Sequence, residues 1–521
     1  MIKKSLARTS YRLAALLLIG SSVLAACDNG AAPTAAPTTA PAAATSAPAA
    51  ATSAPVANTP AASDAMTPTS AAGGAMTPTS GTAGGGTTPT TGGTTGGSTA
   101  NMTSAAPLDP NVSGTVQLWH FWGSPVRRTA IRRIVAVCSA QMPKIKITET
   151  FKPFGDIWTA NTAAVAAGSG MPDVIVEDRP KLPQTAANNI DMSLQKYIDR
   201  DKLDKSQFWP FTWDQTLYNS ESYGIPYETD VRVLFWNKNA FKDAGLDPEK
   251  PPTSWDELWA AADKLDKKAA DGTWERIGFS PLIGNTGWDL WSKTNGFQIV
   301  NEDGSKVTVN DPKMVETFTW MKKWIDRYGG WSEYQKFVGS FTSAPNDAFM
   351  SGKVAMTVDI NGYASQLKFY NPQVPTGTEG KKAVLDWSVT NPPYKEKQTS
   401  TSGGFALSIP KGSKNADAAW EFIKCATGPQ AQTSWARDTL AMPANMKAAN
   451  DPAIMAENNW QFMVDAMKIS QPLGGAFVKS YANFGQEVDK RQADMWSGKT
   501  DIKAALDDAQ KAIDAEMAKN K

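Results

Sequence analysis

YGIPYETDVRVLFWNKNAFKDAGLDPEKPPTSWDELWAAADKL, residues 223–265, decides how this chain folds. Residues 223–226 read as a strand that stops on proline. Residues 231–236 are a β-branched and aromatic apolar run, the pattern of a buried strand. Residues 237–246 suit a short helix with Gly245 near its end. Pro248, Pro251 and Pro252 then break regular structure. Ser254 with Glu257 three residues on makes a capping box, so a new helix starts at Trp255. One strand follows another here with no helix between them. In a chain that otherwise alternates strand and helix, this predicts a change of sheet.

Upstream, the alternation is regular. Residues 115–121 read as a strand and 127–138 as a helix with Ile131, Ile134, Val135 and Cys138 on one stripe. A second strand at 144–151, a helix at 157–167 closed by Gly168 and Gly170, and a third strand at 172–176 follow. This β-α-β-α-β rhythm predicts a parallel sheet covered by helices. Downstream, helices are expected near 255–268 and 311–328, the latter opened by Asn310-Asp311-Pro312. A strand at 405–409 leads into an Asn415-capped helix that ends at Gly428, and 502–517 is a final amphipathic helix. Crossings at 228–233, 402–405 and 450–454 predict an α/β fold of two lobes joined by a hinge. The first lobe takes 111–230 with 405–450; the second takes 231–404 with 451–521.

The first 110 residues are different in kind. Lys3, Lys4, Arg8 and Arg12 precede a short apolar core, and Leu24-Ala25-Ala26-Cys27 resembles a bacterial lipobox, so 1–27 read as a lipoprotein signal with Cys27 acylated. Residues 28–110 are mostly Ala, Pro, Thr, Ser and Gly, with three acids, Asp28, Asp64 and Asp109, and no Lys, Arg or aromatic residue. Such a stretch cannot bury enough apolar surface to offset its ordering entropy, so it reads as a disordered tether. The chain carries 52 basic and 51 acidic residues. With the leader's bases and the tether's acids set aside the charges balance, which argues against nucleic acid and suits a neutral ligand. Of the three cysteines, Cys138 and Cys425 both fall in first-lobe helices. A bridge between them and two buried free thiols are both compatible with the sequence.

The wording of residues 223–265 resembles bacterial extracellular solute-binding proteins of the family-1, sugar-binding type. The resemblance rests on GIPYETD, an apolar strand ending at Trp236-Asn237-Lys238, AGLDP and PPTSWDEL. MPKIKITETF, AAGSGMPDVIV and FMSGKVAMTV extend it over most of the chain beyond the tether. It implies a two-lobed, type II periplasmic-binding-protein-like fold with the ligand in the cleft between lobes. It further implies a monomeric receptor that takes up a saccharide at the outer face of the membrane and hands it to the membrane subunits of an ABC permease. It calls for no cofactor, no metal and no catalysis.

In open α/β sheets ligands sit beyond the carboxyl ends of the strands. Candidate contacts are therefore His120, Trp122 and Ser124 after the first strand, and Glu177, Asp178 and Arg179 after the third. Asp230 stands at the crossing, and Gly403 and Gly404 precede the returning strand. Asp359, Asn361 and Tyr363 follow the AMTV strand; the resemblance places a sugar-stacking aromatic near Tyr363. It also suggests an aromatic at Tyr481 or Phe484, and Trp288 is a further aromatic candidate. These types answer the chemistry of sugars, whose C–H faces pack on rings and whose hydroxyls donate to carboxylates. Each also has a structural reading: the tryptophans as core, His120 as a satisfied core group, and Glu177 and Asp178 as caps. A secreted glycosidase using Glu177 and Asp178 is the enzymatic alternative, but adjacent strand residues point opposite ways. A surface adhesin or sensor is the third reading. Ser497-Gly498-Lys499-Thr500 imitates the end of a P-loop, but position 493 is Ala, so it reads as an inter-helix loop.

Overall fold

The computed structural model describes residues 103–519, except 379, 474–477, 479 and 482. Cys27 and residues 28–102 of the expected tether lie outside the described residues. In chain order, the organising strands are β1 Gly114–His120, β2 Ile145–Phe151, β3 Val174–Asp178, β4 Ile225–Thr229, β5 Arg232–Asn237 and β6 Met356–Ile360. They continue with β7 Trp387–Thr390, β8 Ser400–Ser402, β9 Gly404–Ser408, β10 Met442–Pro443 and β11 Ser470–Pro472.

The first lobe is built on one sheet, ordered β10-β4-β9-β3-β1-β2. β1 runs parallel to β2 and to β3, as the alternating rhythm requires. The returning β9 is antiparallel to both β3 and β4, so the sheet is mixed rather than wholly parallel. The second lobe has a smaller antiparallel sheet, ordered β6-β5-β7. Only Asp230 and Val231 separate β4 from β5, so the chain does change sheets within residues 223–265.

β5 shows why its run is apolar on both faces. Leu234 and Trp236 join the second-lobe core of helices Trp255–Leu265, Pro312–Arg327 and Ile502–Lys519. Val233 and Phe235 point the other way, into a separate cluster with Tyr363, Leu440, Met442 and Trp460. A strand buried on both sides needs no polar alternation. That second cluster mixes residues from both expected lobes, so the lobes share a packed joint instead of a bare linker. β8 and β11 pair in parallel beside it, a revisit of the hinge that sequence alone did not suggest.

The capping box forms: the Glu257 amide donates to Ser254 Oγ at 3.2 Å, and Glu257 Oε2 accepts from the Thr253 amide at 2.8 Å. Asp311 caps helix Pro312–Arg327 as its sequence predicts. Gly428 differs from expectation. It opens helix Pro429–Thr439, and a Cβ there would lie 2.3 Å from Ser104 Cα.

That contact exposes a further difference. Residues 103–109 were expected in the tether but pack on the first lobe. Ala105 and Ala106 are buried in its core. Buried Lys424 donates to the Pro107 carbonyl at 2.6 Å, the Ala105 amide donates to the Lys424 carbonyl at 2.8 Å, and the Asp109 amide donates to Glu421 at 2.9 Å. Composition hid this, because small residues fit where a close approach leaves little room. The cysteine question is also answered: Cys138 and Cys425 are bridged, joining helices Pro125–Gln141 and Ala416–Ala426 across 287 residues of sequence.

Candidate functional site

Three surfaces converge where β3 and β4 end and β5 and β9 begin. The first is a rim on the first lobe. Phe121 follows β1, Phe154 and Trp158 follow β2, and Phe405 lies on β9; all four are half-buried. Their rings meet edge-on, with centroids 4.6 Å apart for Phe121 and Phe405 and 4.9 Å for Phe154 and Trp158. Trp158 is fixed by its Nε1 donating to the Val176 carbonyl at 3.1 Å. Exposed Lys181 lies 5.2 Å over the Trp158 ring and 3.2 Å from Asp178. The fold thus leaves an aromatic platform, with one carboxylate beside it, at the carboxyl ends of three strands.

The second surface is the floor made by the crossing segments. Arg179 is fully buried. Its guanidinium donates to Gln215 Oε1 at 2.8 Å, the Glu228 carbonyl at 2.9 Å, Thr229 Oγ1 at 3.3 Å and the Gly403 carbonyl. Burial lowers Arg179 to about 10, with Asp230 opposing the fall. Asp230 accepts from Arg232 and from the Gly403 amide at 2.8 Å. Gly404 adopts φ +123°, and a Cβ there would lie 2.2 Å from the Glu228 carbonyl oxygen. Gly404 is needed because β9 and β4 come closer here than a side chain permits.

The third surface is a cavity of about 230 Å³ in the second lobe. Arg232, Asn285, Thr286, Trp288, Asp289, Thr401, Leu473, Asp489 and Gln492 are among the residues that line it. Trp288 Nε1 donates to Asp489 at 2.9 Å, and Arg232 donates to Asn285 Oδ1 at 3.0 Å. Burial raises Asp489, which the Trp288 donation opposes. Asp289 Oδ2 and Thr286 Oγ1 are buried atoms with no hydrogen-bond partner among the described residues.

Of the residues chosen from sequence, Asp178, Asp230 and Trp288 fall on these surfaces. Arg179, Gly403 and Gly404 form the floor, but their polar groups are bound to protein. His120 is buried; its Nδ1 accepts from the Trp122 amide at 3.3 Å, so the proton on Nε2 goes to Glu149 at 2.8 Å. Burial lowers His120, consistent with this neutral tautomer. Trp122 is 1 % exposed and packs on Tyr227 and Trp435, 5.3 and 4.5 Å between centroids. Ser124 caps helix Pro125–Gln141. Glu177 lies buried with Asp191 nearby, and burial, then Asp191, hold it well above the usual carboxylate range. Burial raises Asp178 too, with Lys181 opposing the rise.

On the second lobe, Asp359 is raised to about 7, chiefly by burial. Asn361 accepts from the Val231 amide at 3.1 Å and donates to the Leu440 carbonyl at 2.9 Å, stitching the joint. Tyr363 packs edge-on against Phe235 at 5.3 Å, and its hydroxyl donates to Asp347 at 2.8 Å. Its ring belongs to the shared cluster, not to an open face. Tyr481 donates to Glu487 at 3.0 Å, and Phe484 is in the second-lobe core.

Sequence reading missed Phe121, Phe154, Trp158 and Phe405, although the end-of-strand rule reaches the first two. It missed Arg232 because that residue sits inside an apolar run. It missed Asn285, Thr286 and Asp289 because nothing local marks their loop.

Comparison with known proteins agrees with this architecture. Residues 134–463 match the description "bacterial extracellular solute-binding protein". The sn-glycerol-3-phosphate-binding periplasmic protein UgpB of Brucella abortus is 32% identical over 181 residues, 31% of this chain and 37% of that relative. The chain thus aligns with little more than a third of that relative's length. UgpB of Shigella dysenteriae is 24% identical over 423 residues, 76% of this chain and 90% of that one. The solved structure of CpMnBP1 with mannotriose bound superposes with a TM-score of 0.67 at 27% identity, covering 77% of this chain and 99% of that one. The Thermotoga maritima maltose-bound MalE3, at 18% identity and TM-score 0.63, shares the fold over 77% of this chain and 99% of its own. On the match over residues 134–463 and the two-lobed fold, this chain belongs to the bacterial extracellular solute-binding protein family.

Proposed function

We propose that this protein captures a neutral saccharide outside the cell and delivers it to the membrane subunits of an ABC importer. The observation that carries the reading is the pairing of an aromatic platform on one lobe with a polar cavity on the other, across a shared floor. A sugar's C–H face suits the Phe121, Phe154, Trp158 and Phe405 edges, and its hydroxyl rim suits Asp178, Asn285 and Asp289. Ligand touched by both lobes binds the closed form better than the open one, so it shifts the population toward closure. A permease can then distinguish loaded from empty receptor. Similarity to CpMnBP1, solved with mannotriose bound, supports the saccharide reading.

In this reading the protein works as a monomer without a cofactor and without catalysis. It is held at the outer membrane face by lipid on Cys27. Glu177 and Asp178 do not form an acid–base pair: Glu177 is buried with Asp191 nearby, and Asp178 pairs with Lys181. Isothermal calorimetry with a panel of neutral oligosaccharides, mannotriose and maltose included, tests the proposal. Saturable heat with at least one member is expected. Silence across the whole panel would end the saccharide reading.

A further inference from the structure

We propose that Asp289 and Thr286 make the second-lobe cavity a site for hydroxyl donors that rejects phosphate esters. This rests on the saccharide reading above and refines it. The cavity holds both signs of charge, so the question is which groups are still open to a ligand. Its cation is already engaged: Arg232 donates to Asp230 and, at 3.0 Å, to Asn285. Lys293, on the helix next to the cavity, is buried and donates to the Pro472 carbonyl at 2.9 Å. Asp489 Oδ1 accepts from Trp288 at 2.9 Å and Gln492 at 2.7 Å. Within the cavity lining, the buried side-chain atoms left without partners among the described residues are Asp289 Oδ2 and Thr286 Oγ1.

A carboxylate oxygen accepts and cannot donate; a threonine hydroxyl does either. A sugar hydroxyl therefore completes this cavity. A phosphate ester brings more acceptors and two negative charges toward Asp289 and Asp489, while Arg232, the cation among the described lining residues, already pairs with Asp230 and Asn285. Discrimination follows because a buried polar group facing the wrong partner stays unpaired. Relatives of this chain are named for binding sn-glycerol 3-phosphate. By this argument the present chain parts from them at the cavity.

The test is calorimetry on the full chain with the tightest-binding saccharide of the panel and with sn-glycerol 3-phosphate. Wild type should favour the saccharide by at least about 100-fold. Asp289→Asn keeps the shape, removes the charge and should weaken the saccharide about tenfold while narrowing the ratio by about tenfold. Thr286→Val should weaken the saccharide several-fold and leave the ratio unchanged, with thermal melting confirming that both variants fold. Tight saccharide binding with an Asp289→Asn ratio equal to wild type would overturn this inference and leave the saccharide reading intact. Tight sn-glycerol 3-phosphate binding with no saccharide bound would overturn both.

Discussion

The two faces of the site are left open in opposite ways. On the first lobe, the polar groups nearest the strand ends are already engaged or buried: His120 with Glu149, Arg179 with four acceptors, Glu177 near Asp191. What lines the rim there is aromatic edge with Asp178 beside it. On the second lobe, the aromatic is pinned, with Trp288 donating to Asp489, and polar atoms remain open. Binding capacity is whatever hydrogen-bonding and stacking capacity folding leaves unused. A residue's chemical type does not reveal it.

The comparison can be broken most severely at Arg179. Arg179→Met removes the donor shared by β4 and Gly403 and strands their buried acceptors. We expect a loss of about 3–5 kcal/mol in urea denaturation, the range for breaking a buried charged network. Arg179→Lys should not restore it, since one ammonium cannot reach acceptors spread over three segments. A variant as stable as wild type would mean the floor does not need its clamp.

A contrast between two tryptophans sharpens the point. Trp122→Ala should cost stability, about 3–5 kcal/mol by the usual penalty for emptying a core aromatic site. Trp158→Ala should spare most of the stability and weaken saccharide binding by about 1–2 kcal/mol, as for a lost aromatic contact. Melting curves and calorimetry on both variants measure the split. The reverse assignment would place the platform elsewhere.

The smallest effect is a pH slope. Burial raises Asp191 from its ordinary 3.8 to about 7 in the folded protein. The folded state then holds a proton that the unfolded chain has released. Stability from this group is fully present below about pH 4 and is lost as pH rises toward 7. Asp191→Asn should therefore flatten the stability profile between these limits, gaining about 1–2 kcal/mol at pH 8 and little at pH 4. Glu177 is the ionisable neighbour whose own titration could sharpen or blunt the slope. Chemical denaturation at four pH values would detect it; parallel profiles would remove Asp191 as its source.

Much of the fold was readable because its signals are local. The Ser254 capping box, the Asp311 cap and the uniformly apolar β5 depend on neighbours within a few residues. The change of sheet followed from two strands with no helix between them. The parallel pair β8 and β11 was not readable, because it joins short polar segments about 70 residues apart. The site was less legible for a related reason. End-of-strand position brought Asp178 and Asp230 to the right surfaces, yet it brought Trp122 and Tyr363 to packed interiors with equal force. Only tertiary partners separate these cases, and Asp289 had no local mark at all.

Residues 103–109 give the molecule a mechanical asymmetry. Their bonds to Lys424, Glu421 and Gln207 all lie within the first lobe, beside the bridge from Cys138 to Cys425. A pull on the chain ahead of residue 103 therefore enters one lobe alone. That load passes into a cross-linked pair of helices and never traverses the joint. The strap therefore stiffens the first lobe alone and leaves the joint around β4 and β5 free of it.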